Sequence, residues 1–134
     1  KIGKQLKSVV EELEKGNLEK SIRAISLGIK LYSRDAKTYG ILGLCYKVKG
    51  DYEKTIKTLH RAISISPDFY KPYNTLGDIY YEREEYEKTK EYYEKALNLL
   101  HEDKLKIELD MKNYIRERLY YVNKYIKEGT SHKR

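Results

Sequence analysis

The chain has 134 residues, enough for one domain with an extended core. Charged residues make up 37% and hydrophobic ones 40%, with only two prolines, Pro67 and Pro72, a balance that favours helices over sandwiches or disorder. No run of 18 apolar residues is present to span a membrane, no apolar signal segment appears, and the net charge is +7.

Cys45 is the single cysteine, so no intrachain disulfide is possible. A lone thiol is compatible with a reducing compartment, and a cytoplasmic location is the expectation. The chain opens on Lys1 rather than Met, as a fragment or a processed product would. Tyrosine is over-used, with 15 Tyr against one Phe and no Trp. A biased coding composition is the first explanation of that and a functional Tyr surface the second.

A period of 34 residues organises the chain. Residues 2–35 keep it weakly. Gly16-Asn17-Leu18 reads as a turn and Gly28 as a small packing residue, but Gln5, Ser8 and Val9 interrupt the pattern. In 36–69 the pattern is full. Tyr39, Leu42, Gly43 and Tyr46 predict a helix, Gly50 its left-handed end, and Asp51 the cap of the next. Tyr52, Ile56, Leu59, Ala62 and Ile63 give that second helix one apolar face, and Pro67 disfavours its continuation. In 70–103, Tyr73, Leu76, Gly77, Tyr80, Tyr86, Ala96 and Leu97 follow at the same spacing. There Glu84-Glu85 stands in place of Gly50-Asp51, so both the left-handed residue and the cap are missing. A fixed period of this size marks a solenoid of stacked supersecondary units.

Residues 104–128 leave the period. Ile107, Met111, Ile115, Leu119, Val122 and Ile126 form one stripe at helical spacing, followed by a basic tail at 129–134. Asp103 is the expected cap of this helix. The alternative is continuity with the preceding helix, since no Gly or Pro lies between 78 and 128. The first half is expected to cover the third unit. The second half would leave Leu119, Tyr120, Tyr121, Val122, Tyr125 and Ile126 exposed unless they meet another surface. Ile115, Leu119, Val122, Tyr125 and Ile126 are therefore candidates for self-association into a homo-oligomer.

The aromatic-x-x-Leu-Gly-x-x-Tyr series, the Gly-x-aromatic turn, Ala62 and Pro67 resemble the tetratricopeptide repeat (TPR), with Thr55 in place of the usual Ala. The resemblance covers about 1–103 as three repeats, the first degenerate, with the last helix as a cap. It implies an all-α fold, an α-solenoid of helix-turn-helix units wound as a right-handed superhelix. It also implies a protein or peptide partner held on the concave face. The family's ligand-contact positions fall here on Gly3, Leu6, Val10, Leu13 and Glu14. They recur on Lys37, Gly40, Leu44, Lys47 and Val48, and again on Lys71, Asn74, Asp78, Tyr81 and Glu82. That groove would grade from apolar to acidic. The carboxylate clamp that holds heat-shock chaperone tails falls on Leu6, Val10, Ile41, Lys71 and Thr75. Only Lys71 matches, so no clamp is expected.

Catalysis has little support. His60, His101 and His132 are scattered, and no nucleophile elbow, phosphate loop or metal-spaced pair occurs, so neither enzyme activity nor a cofactor or metal is expected. Cys45 sits where a small buried residue belongs and reads as structural. Lys112, Arg116, Arg118, Lys124, Lys127 and the tail Lys133-Arg134 interleave with tyrosines, as in a nucleic-acid surface. A solvated lysine-rich face is the simpler reading, because an acidic block at 70–103 separates the basic segments.

Overall fold

The computed structural model describes residue 7, residues 17–31, 34–100 and 106–129. Every regular element among them is helical. These are α1 (Leu18–Leu31), α2 (Ala36–Lys49), α3 (Tyr52–Ile65), α4 (Tyr70–Glu82), α5 (Tyr86–Leu99) and α6 (Lys106–Lys127). None is long and apolar enough to cross a membrane. The chain divides into two compact units after Pro67.

In the first unit, α2 packs against α1 and α3. Asp35 caps α2 by accepting from the Thr38 amide at 2.7 Å, and Asp51 caps α3 by accepting from the Lys54 amide at 3.1 Å. Between them Gly50 takes a left-handed φ of 93°. Its amide donates to the Lys47 carbonyl and the Asp51 amide to the Tyr46 carbonyl, which completes a Schellman end. Gly43 lets α3 approach. A Cβ there would lie 2.7 Å from Leu59 Cδ2. Ile22, Ile25, Leu42 and Cys45 form a core with Ala24, Ile29, Ile41 and Tyr46 around it. Burial pushes the Cys45 thiol up to about 11, so at neutral pH it is an inert packing group.

The second unit repeats the design with different residues. α4 and α5 form the helix pair, and α6 lies against α5. Glu84 takes a left-handed φ of 59° although it is not glycine. The same two hydrogen bonds form, Glu84 to Tyr81 and Glu85 to Tyr80. The missing Gly50 counterpart therefore does not abolish the turn; the local bonds hold a glutamate in it. Glu85 makes no side-chain cap, as expected. Under Gly77 lies the fully buried ring of Tyr93, 2.3 Å from where a Cβ would stand.

One periodic feature runs through both units. Ser21, Thr55 and Thr89 are 34 apart and fully buried. Each hydroxyl donates to the carbonyl four residues earlier, of Asn17, Asp51 and Glu85. Thr55 is thus one of a series of small buried hydroxyls rather than an isolated departure from alanine. The tyrosines are periodic too. Arg61 lies over Tyr39 and Lys95 over Tyr73, while Lys54 covers Tyr46 and Lys88 covers Tyr80. Tyr39, Tyr73 and Tyr80 are buried, so much of the tyrosine excess builds the core and its cationic lids.

α5 ends at Leu99, where Leu100 turns to extended backbone, so α5 does not run on into α6. Asp103 lies outside the described residues.

Candidate functional site

The positions that would contact a ligand behave differently in the two units. On α2, Lys37 is exposed, Gly40 and Lys47 are half-buried, Leu44 is 43% exposed and Val48 65% exposed. Lys37, Leu44 and Val48 fall seven and four residues apart, on one side of the helix. α2 carries three lysines and no acidic residue. Lys49, just past this face, pairs with Glu19 of α1 at 2.8 Å. Leu6, Val10 and Leu13 lie outside the described residues.

On α4 the matching positions are largely taken by α6. The Asn74 amide donates to the Met111 thioether at 3.4 Å. Asp78 accepts from the hydroxyls of Tyr93 and, at 2.9 Å, Tyr114, and Arg118 Nη1 lies 3.8 Å from it. Arg118 also donates to the Tyr93 hydroxyl at 3.2 Å and lies 4.1 Å from the centre of the Tyr81 ring. Burial first, and then the Asp78 charge, push the Tyr93 and Tyr114 phenols up, so both remain donors at neutral pH. Asn74, Asp78 and Tyr81, expected on the ligand face, are half-buried, and all three side chains meet a helix of their own unit. Lys71 and Glu82 remain exposed.

The seating of α6 corrects the reading of its stripe. Ile115 and Val122 are fully buried and Leu119 nearly so, while Tyr125 packs on Tyr86 with ring centres 4.8 Å apart. Tyr125 and Ile126 are half-buried. Leu119 and Val122 are therefore not left exposed, and Ile115, Leu119 and Val122 are buried among the described residues. Exposed apolar surface lies instead at the other end of the helix, at Ile107 (62%) and Leu109 (43%), and on the outward tyrosines Tyr120 and Tyr121. Two members of the basic set are also withdrawn. Lys112 is buried, and the Arg118 guanidinium lies over the rings of Tyr81 and Tyr114.

No local pattern in the sequence marks Met111, Tyr114 and Arg118 as contacts to the third repeat. One signal for them exists in the sequence, because Tyr114 stands 34 residues after Tyr80, itself 34 after Tyr46. That spacing puts the first half of α6 in register as a further first helix of a repeat. Among the described residues no group of three His, Cys, Asp or Glu side chains could hold a metal ion.

Comparison with known proteins agrees with this architecture. The tetratricopeptide repeat model matches residues 36–69 and 70–99. No curated protein matches the sequence. Among solved structures, the type III secretion translocator chaperone SycD of Yersinia enterocolitica superposes with a TM-score of 0.84 at 11% identity, over 94% of this chain and 86% of that one. SycD bound to a peptide of the translocator YopD gives 0.82 at 11% identity, over 91% and 92%. The second TPR domain of human RPAP3, solved with an HSP70 peptide, gives 0.64 at 19% identity, over 84% and 92%. At these identities the likeness is one of fold. The chain therefore carries two tetratricopeptide repeats, at residues 36–69 and 70–99.

Proposed function

We propose that this protein is a non-catalytic interaction module that holds an apolar segment of a partner protein on the first-helix face of its first unit. The observation that carries the reading is the exposed pair Leu44 and Val48, one helical turn apart on α2. Two large apolar side chains on one face, at positions where TPR proteins meet their ligands, are a place for a partner to bury surface. The fold is shared with proteins solved holding peptides, SycD with a YopD peptide and RPAP3 with an HSP70 peptide. The third repeat contributes less, because α6 already contacts Asn74, Asp78 and Tyr81.

The binding mode differs from the chaperone-tail clamp. At the clamp positions, Ile41 packs against the first unit's core, and Thr75 is buried with its hydroxyl donating to the Lys71 carbonyl at 3.1 Å. Neither side chain offers an amide or a cation to a terminal carboxylate. Self-association through α6 is the weaker alternative, since the best part of its apolar stripe is already buried.

The test is affinity capture from the source cell with the wild-type chain and Leu44→Glu side by side, folding being checked by circular dichroism. Proteins held by the wild type and lost by the variant support the reading. An unchanged set of captured proteins would refute it.

A further inference from the structure

The charge of the molecule is divided as sharply as its surface. The unit Lys1–Pro67 has 14 basic and 7 acidic side chains, and the unit Asp68–Arg134 has 14 of each. The whole net charge of +7 therefore belongs to the first unit. Within that unit α2, which bears Leu44 and Val48, has Lys37, Lys47 and Lys49 and no carboxylate. Lys37 is exposed on the same side of the helix as Leu44, two turns before it.

We infer that the segment held on α2 is acidic as well as apolar: two large aliphatic or aromatic side chains that meet Leu44 and Val48, flanked by Asp or Glu facing Lys37. This rests on the reading of α2 as the docking face and adds the chemistry of the partner. The physical grounds are complementarity and exclusion. A net positive unit attracts an acidic segment and speeds its encounter, and it repels a basic one of equal hydrophobicity. Apolar contact alone would not make that distinction, so charge sets which apolar segments are admitted. The neutral second unit provides no comparable field, and of the two carboxylates at its ligand positions Asp78 is held by Tyr93, Tyr114 and Arg118 while Glu82 is exposed and would repel an acidic segment. A nucleic acid would also respond to the field. The exposed aliphatic pair favours a peptide, because Leu44 and Val48 give a phosphate backbone nothing to bind and give bases no aromatic platform.

The test is selection of 16-residue peptides from a random displayed library on the full chain, on Leu44→Glu and on Lys37→Glu. Both substituted side chains are exposed, so both variants keep the fold. The expected result is enrichment on the wild type of peptides with two large apolar residues and an excess of Asp and Glu. A synthetic copy of such a peptide should bind several-fold more weakly to Lys37→Glu and at 500 mM salt, roughly as screening of exposed charges requires, and not measurably to Leu44→Glu. Enrichment of neutral or basic apolar peptides on the wild type would overturn the charge inference and leave α2 as the docking face. The same peptides enriched on Leu44→Glu, or none on either, would overturn the docking face itself. In a third arm, a single-stranded oligonucleotide that binds the wild type and is released by Lys37→Glu but not by Leu44→Glu would reassign the charge to nucleic acid and overturn the inference.

Discussion

The two units are built on one 34-residue plan and put it to opposite use. In the first, α2 keeps Leu44 and Val48 in solvent, on a helix that carries three lysines and no acidic residue of its own. In the second, the matching face of α4 is polar and three of its positions meet α6, which fits Met111, Tyr114 and Arg118 onto Asn74, Asp78 and Tyr81. Position 44 is leucine where position 78 is aspartate, and position 48 is valine where position 82 is glutamate. The contrast teaches that a repeat's framework residues and its face residues vary independently. Gly43 and Gly77 both admit a neighbouring helix, Ser21, Thr55 and Thr89 all bond back to their turn, and the faces above them differ in charge and availability.

The packing glycines give the largest expected effect, and they separate the units. In Gly77→Ala the new Cβ would press into the Tyr93 ring, which is fully buried and engaged through its hydroxyl. A loss of about 2–3 kcal/mol is expected from that overpacking. In Gly43→Ala the obstacle is Leu59 Cδ2, the far end of a flexible side chain. There the gain in helix propensity offsets much of the clash, and a net change of about 1 kcal/mol or less is expected. Urea denaturation of both variants measures the difference, and equal losses would contradict it.

Next comes the seat of α6. Tyr93→Phe removes a buried donor from Asp78 and an acceptor from Arg118, at an expected cost of about 1–2 kcal/mol. The effect should appear as faster amide exchange along α6, with α2 and α3 unchanged. Uniform acceleration through both units would mean that the network does not act locally.

The turns offer a smaller, signed comparison. Glu84 holds a left-handed conformation that glycine occupies at Gly50. Glu84→Gly is expected to raise stability by about 1 kcal/mol and Gly50→Ala to lower it by about as much, since a Cβ is penalised in that region. Thermal melts of the two variants moving in the same direction would contradict the shared turn.

The smallest effect concerns Cys45. Its thiol is raised from an ordinary 9.0 to about 11 by burial. Between those values the unfolded chain has released the proton and the folded chain has kept it. The contribution of this group to stability is therefore complete below pH 9 and lost as pH rises through about 11. At pH 8 iodoacetamide should leave the native protein unlabelled and modify it in denaturant; rapid native labelling would show an accessible thiolate.

How far the sequence could be read follows the same division. The repeat signals placed α2 to α5 well, because apolar spacing, Gly50, Asp51 and Pro67 act locally along the chain. Where a local signal was missing, at Glu84-Glu85, long-range packing and two backbone bonds supplied the turn, and no window of sequence displays that. α6 was recognisable as one amphipathic helix, but not the stretch of it that would be buried. Its stripe runs the full length, and only the docking of Tyr125 on Tyr86 and Met111 on Asn74 fixes which residues are covered. The surroundings of the polar half of the ligand face are likewise not written in any local pattern. Asp78 looks like a surface carboxylate until Tyr93, Tyr114 and Arg118 converge on it from 15 to 40 residues away in the chain.

The most direct test of an open face on α2 and a closed one on α4 is partner capture by two variants at matching positions, Val48→Glu and Glu82→Lys. Both side chains are exposed, so folding is preserved in each. Capture should fall at least tenfold with Val48→Glu and stay within about twofold of wild type with Glu82→Lys, as a buried apolar anchor and a rim charge respectively would behave. Full capture by Val48→Glu, or a loss confined to Glu82→Lys, would place the partner on the other unit and contradict the assignment.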